Sequence, residues 1–413
     1  MARAIGVDFG TTNSVVAVLN DDASVNVLRH GPALGDVFRT VLCFWAEEVR
    51  GRQLLHEAAG PAAIEAYLGD PLDSRLIMSM KTYLAQRSFT QTRVFGRIFT
   101  LERLVAAFLR GLLAEVGPVA RVTVGRPVRF AGEFADDVLG AERLRGAFVE
   151  AGLSDVTLML EPAAAGARFA STLTEPATVL IGDFGGGTSD FSLLRFDPRS
   201  GVTPLGHAGV AIAGDVFDYR IIDHAIAPPL GKHDTYRVMG KTMPVPAEFF
   251  AGFARWHRLS MMRVPRTLRA IEEVARTASH PERLRHLIAL IEDGLGYALY
   301  QAVSGAKAAL SAAEETVLRF GHKDLAIERR LTRGEFESWI AADLVRLGAT
   351  IDQGLRDAGL APDAVDRVFL TGGTAFVPAV RQLFASRFGA EKLTGGGEFV
   401  SVAEGLALAG TIA

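Results

Sequence analysis

One cysteine, Cys43, stands in 413 residues. No disulfide can close within the chain, and a reducing cytosol is its simplest home. Its setting, Val41-Leu42-Cys43-Phe44-Trp45, is apolar; that predicts a packed thiol rather than a reactive one. Neither sign of charge is in excess: 44 Lys and Arg against 47 Asp and Glu leave −3. Nucleic acid and anionic membrane are therefore not expected as main partners. No apolar run is long enough to span a bilayer. Asp8 interrupts what would be the apolar part of a signal peptide, so a cytoplasmic protein is expected.

What is present is an ordinary globular composition, 49% hydrophobic and 22% charged. The length predicts two or more packed units. Strands are expected at 4–7, 14–19, 121–125, 156–160, 177–181, 191–196 and 367–370. Helices are expected at 61–68, 101–116, 133–151, 215–226 and from 377 and 402. In the second of these, Leu101, Leu104, Val105, Phe108 and Leu112 share a face. Residues 246–312 read as mostly helical with breakers at Pro265 and Pro281, and 316–331 as a hairpin. Thr332 and Glu335 have the spacing of a capping box.

The most informative feature is an internal repeat. IGVDFGTTNSVVAVL at 5–19 returns as LIGDFGGGTSDFSLLRF at 180–196. Both copies read strand, Asp-Phe-Gly, small-residue turn with threonine, strand. Two copies of one hairpin, far apart in sequence, predict two lobes of related α/β fold facing each other. Thr174-Glu175-Pro176 is the short passage between them.

The turns suggest a chemistry. At Gly10-Thr11-Thr12 there is little side-chain bulk, so backbone N–H groups can approach phosphate oxygens and the hydroxyls can add donors. Asp8 would repel phosphate, but suits a hydrated magnesium ion. Taken alone, this is equally an ordinary hairpin with a polar turn. Gly185-Gly186-Gly187 gives up side chains at three successive positions, at an entropic cost that points to close approach of a ligand. Asp183 and Asp190 flank it. Asp183, paired with Asp8 from the other copy, would place two carboxylates around one shared cation. The Asp-Phe-Gly triplet of protein kinases is excluded, because no Gly-x-Gly-x-x-Gly loop near the start and no His-Arg-Asp loop accompany it.

Three weaker signals follow. Thr371-Gly372-Gly373-Thr374 lies between a strand and a helix; it can lie flat against purine and ribose, or be a plain turn. Glu161, before Pro162, can position a water or cap the helix that follows. Lys307 and Ser311 share a helix face at i, i+4 and can meet adenosine or be surface residues.

Together these motifs resemble the actin, sugar-kinase and heat-shock ATPase superfamily. Finer matches (LEPAAAG, DFGGGTSDFSLL, AGDVFDYRI, GAKAALS and LTGGTAFVP) resemble the nucleotide-binding domain of the DnaK-type seventy-kilodalton heat-shock family, in that family's order. VGRPVRF, GHAG and EGLALAG are most similar to its YegD branch, which consists of little beyond this domain. The resemblance implies an actin-like ATPase fold. It places one lobe at 1–175, with a core of 1–36 and 101–175 and an outer part at 37–100. The other lobe is 176–413: a core of 176–222 and 304–400, an outer helical part at 223–303, and a terminal helix at 401–413 packing back on the first lobe.

It further implies that ATP or ADP binds with Mg2+. Asp8, Asp183 and Asp190 would hold the metal shell and orient water, the first two as the metal ligands. Glu161 would join them in the catalytic set. Gly10, Thr11, Thr12, Asn13 and the run Gly185, Gly186, Gly187, Thr188 would contact phosphates. Gly214 and Asp215 would lie on the ribose and phosphate side. Lys307, Ser311, Gly372, Gly373, Thr374 and Phe376 would border adenosine, Phe376 replacing a stacking arginine. Ser304 and Ala308 replace a glutamate and an arginine, which predicts weaker adenine selectivity.

One departure bears on catalysis. The family's catalytic lysine falls in the segment from Arg52 to Gly60, which has none. Lys81 lies further on, at a position that looks structural in the family; the other reading is that it reaches the γ-phosphate. Slow or absent hydrolysis is therefore expected. No peptide-binding domain or lid follows Ala413, so peptide clamping in the usual chaperone manner is not expected either. The alternatives are a non-catalytic, nucleotide-sensing scaffold or a small-molecule kinase. Protein clients and co-chaperones are not legible.

Overall fold

The computed structural model describes residues 3–30, 37–131, 134–166, 173–394 and 401–410. Parts of the expected lobe cores (31–36, 132–133, 167–172, 395–400) and the end of the expected terminal helix (411–413) lie outside them. The fold is mixed α/β, with several separate sheets and no closed barrel among the described residues.

Two sheets carry the repeat. The first runs Val156–Leu160, Val119–Arg126, Arg3–Phe9, Asn13–Leu19, Val25–Val27. The second runs Leu393–Thr394, Arg367–Thr371, Ala177–Phe184, Ser189–Asp197, Gly201–Val210. In each, the Asp-Phe-Gly strand pairs antiparallel with its hairpin mate and parallel with a strand far along the chain. The outer pairs match as well, antiparallel on the hairpin side and parallel on the other. The duplication thus extends from one hairpin to an order of five strands; the first sheet adds a sixth, Phe38–Arg39, beside Asn13–Leu19. The central strands are apolar nearly throughout, as strands covered on both faces must be: Ile5, Val7 and Phe9 in one, Val179, Leu180 and Ile181 in the other, all buried.

Helix starts follow local capping. Leu101–Leu112 is capped by Thr100, whose hydroxyl accepts from the Arg103 amide, and its five expected face residues are all buried. It ends before the expected Val116, giving way to a turn ahead of Gly117, where φ is +79°. The next helix starts at Asp137, four residues after the expected 133, because Asp136 is its cap and accepts from the Leu139 amide at 3.0 Å. Pro265 and Pro281 each open a helix, where a missing N–H costs nothing. The capping box is present: Glu335 accepts from the Thr332 amide and Thr332 accepts from the Glu335 amide.

The chain separates by contact density into two units. The first holds residues 1–211, 348–375 and 382–413, including both sheets. The second holds residues 212–347 and 376–381. A three-stranded antiparallel sheet at Val41–Val49, Arg52–Ala59 and Ser74–Met78 belongs to the first unit. The second unit is mainly helical and carries two hairpins. It is pinned inside by Arg220, which makes a two-pronged pair with Asp343, 2% exposed, at 2.8 and 3.1 Å. No described helix is long and apolar enough to cross a membrane.

Candidate phosphate-binding site

The two repeated turns meet. A Cβ placed on Gly186 would stand 2.5 Å from the Thr12 hydroxyl oxygen, so only glycine lets the second turn come this close to the first. The first turn is braced from behind. Thr40 donates its amide to the Thr12 carbonyl at 2.8 Å. Its hydroxyl meets Ser14 in a buried contact, and Arg39 donates to the Asn13 side chain at 3.1 Å. The second turn closes on itself, Gly185 donating its amide to the Thr188 carbonyl. Beside it, Gly372 takes φ +86°, and a Cβ there would lie 2.0 Å from the Phe184 carbonyl oxygen. Gly373 and Thr374 continue into a short 3-10 turn with Thr374 buried.

The structure brings Lys81 to the carboxylates. The segment Arg52–Ala59, where a lysine was expected, is an edge strand. Lys81 arrives from a different direction. Ser79 takes the left-handed conformation, φ 57°, and opens a 3-10 turn, Met80–Tyr83, held down by buried Met80 and Leu84. From that turn the Lys81 ammonium donates to Glu161 Oε1 at 2.6 Å, both side chains 11% exposed. Burial works against the charge on Lys81. Glu161, Asp8 and Asp183 outweigh it, and the ammonium is held above its ordinary value.

The carboxylates around this lysine strain against one another. Loss of water, then repulsion from Glu161, pushes Asp8 up to about 7, with Lys81 partly opposing. Asp183 is raised well above the ordinary range, first by burial and then by Asp8, Glu161 and Asp190. Asp190 is raised to about 6 by burial and by Glu161, against a hydrogen bond from Thr188. Four acids thus converge on one lysine. Such a set is short of positive charge, and a divalent cation would relieve it. Among the described residues no group of three or more His, Cys, Asp or Glu is arranged to hold a metal alone. Mg2+ needs no such cage, since it keeps most of its waters and takes one or two carboxylates with substrate phosphates. Asp8 and Asp183 fit that demand.

The remaining expected residues lie in the second unit. Gly214 and Asp215 start the helix Gly214–Ile221. Lys307 is held to them: its ammonium donates to the Gly214 carbonyl at 3.2 Å and pairs with buried Asp218 at 2.9 Å. Ser311 donates to the Lys307 carbonyl. Phe376 is 44% exposed. Asp218 was missed in the sequence, as was His207, which stands against Asp190 in the first unit.

The family model described as Hsp70 protein matches residues 294–413. The chaperone protein DnaK of Thermus thermophilus is 28% identical over 414 residues, covering 95% of this chain and 58% of its own. The chaperone protein dnaK3 of Synechococcus elongatus is 27% identical over 410 residues, covering 95% and 47%. The chain spans about half the length of the curated relatives it matches. The chain is thus similar to the DnaK-type Hsp70 family over nearly its whole length, and its mixed α/β fold with duplicated sheets is consistent with the actin-like ATPase fold of that family.

Proposed function

We propose that this chain binds ATP with magnesium in the manner of a heat-shock chaperone and cleaves it slowly, with Lys81 as the cation that meets the γ-phosphate. The observation that carries this is Lys81 standing among Asp8, Glu161 and Asp183. Backbone amides of Gly10 to Asn13 and Gly185 to Thr188 hold the phosphates. Asp8 and Asp183 hold the metal, which when bound spreads phosphate charge and acts as a Lewis acid. Asp190 and Glu161 accept hydrogen bonds from the attacking water and fix its line of approach. Lys81 turns part of its charge from Glu161 to the phosphate, a preorganised stabiliser of the negative charge that develops. Within the second unit, the face formed by Gly214, Asp215, Lys307 and Ser311 is proposed to take the nucleoside, and Phe376 to stack on its base.

The finer placement we favour is the YegD branch, in the cytoplasm, on the sequence motifs and the buried free Cys43. Client proteins and co-chaperones are the class of partner the family suggests. A scaffold that only senses nucleotide loses ground once a lysine stands in the site, and nothing in the site calls for a small-molecule kinase. The test is single-turnover ATP cleavage by the unmodified chain and by Lys81→Met, with ATP affinity measured alongside. The variant should bind ATP but cleave it about a hundredfold more slowly. Equal cleavage rates would remove Lys81 from the reaction.

A further inference from the structure

The second hairpin continues into a third strand, and this edge strand carries a histidine that no role so far uses. In the pairing of Ser189–Asp197 with Gly201–Val210, Asp190 lies opposite Gly209 and Ser192 opposite His207. Side chains two apart share a sheet face, so Asp190 and His207 are diagonal neighbours. Gly209 makes the diagonal short. A Cβ on Gly209 would stand 2.7 Å from Asp190 Oδ1 and 3.7 Å from His207 Nε2. The carboxylate therefore lies over the bare glycine and reaches toward the imidazole. His207 Nε2 is 3.6 Å from Asp190 Oδ1, an ion-pair distance rather than a hydrogen bond. The other ring nitrogen, Nδ1, is 3.4 Å from the Ser192 hydroxyl.

The two side chains differ in setting. His207 is 12% exposed, whereas Asp190 keeps 41% of its side chain open. The imidazole is packed behind the carboxylate, not beside it in solvent. Burial, with Arg129 nearby, holds the ring toward its neutral form against the pull of Asp137. A neutral ring has one N–H. If Ser192 donates to Nδ1, that N–H is on Nε2 and faces Asp190.

From this juxtaposition we propose that His207 is a positioning residue for Asp190: it fixes the direction of the carboxylate that orients the attacking water, while touching neither nucleotide nor metal. The proposal rests on the nucleotide-cleaving reading above. It extends the site by one strand, to an edge strand whose bare Gly209 is needed for the contact. Removing the ring takes away this support and leaves the Asp190 carboxylate with its hydrogen bond from Thr188. Loss of a supporting partner of this kind costs about tenfold in activity.

The experiment compares the unmodified protein with His207→Ala, His207→Gln and Gly209→Ala. Three quantities are read: the carboxyl carbon signal of Asp190 by NMR in nucleotide-free protein at fixed pH, assigned with Asp190→Asn; ATP·Mg2+ affinity by calorimetry; and the single-turnover rate. In His207→Ala the Asp190 signal should shift and the rate fall about tenfold, with affinity changed less than threefold. His207→Gln, whose amide can donate where Nε2–H did, should restore part of both. Gly209→Ala should displace the signal with His207 still present. An Asp190 signal unmoved by His207→Ala would overturn the proposal. Failure of the unmodified protein to bind ATP would instead count against the functional reading, and the nucleotide-free signal would still decide the role of His207.

Discussion

Lys81 sets the electrostatic problem that the acids around it must solve, and Asp8 shows the consequence. Its pKa in the fold, about 7, lies above its ordinary value. The fold therefore favours the protonated carboxyl. As pH rises from about 4 through 7, the unfolded chain loses this proton first, and the nucleotide-free protein loses stability. Asp183 and Asp190 are raised too and act in the same direction. Asp8→Asn keeps the shape without the charge. It should be more stable than the unmodified protein at pH 8, by on the order of 2 kcal/mol, with the gap closing near pH 4. Denaturant unfolding at both pH values measures this; a variant equally stable or weaker at pH 8 would show that Asp8 is not strained. Lys81 itself was legible only as a loose candidate, because its role depends on Glu161, eighty residues away, and on a left-handed Ser79 that no periodicity announces.

At the scale of elements, the hairpins were the readable part. Asp-Phe-Gly followed by small residues is a short-range pattern, and strand and turn both fall where that pattern puts them. Helix faces were equally legible, since Leu101 to Leu112 needs only its own spacing. The outer sheet at Val41–Val49 was not. Its strand begins as an unbroken apolar run and ends in charges, so the alternation that marks a half-buried strand is missing. The strand Gly201–Val210 hid for a related reason: it is an edge strand broken by Pro204 and by a bulge at Leu205, which the register passes over. Glycine carries a testable load at the strand-to-helix turn. Gly372 combines positive φ with a backbone carbonyl where its Cβ would be. Gly372→Ala should cost about 3 kcal/mol or more, read as a fall in denaturant midpoint at unchanged slope. A loss below about 0.5 kcal/mol would mean that the turn relaxes freely.

For the whole molecule, the duplication is the organising fact. Two sheets with one strand order bring two copies of one turn into contact at Gly186 and Thr12, and Lys81 reaches the acids beside them from a third piece of chain. What the repeat alone could not supply was the sign of the site. Its acids were visible in the sequence, its lysine was legible only as a loose candidate, and the expectation of slow or absent cleavage followed from that. With the lysine in place, the central claim is that the first unit grips phosphate through magnesium and the two turns. Calorimetric titration of the unmodified protein with ATP, with and without Mg2+, tests it most directly. The account predicts saturable binding that tightens at least tenfold with Mg2+ and is lost in a chain carrying both Asp8→Asn and Asp183→Asn. Absence of heat at millimolar ATP with Mg2+, or binding indifferent to the metal, would contradict it.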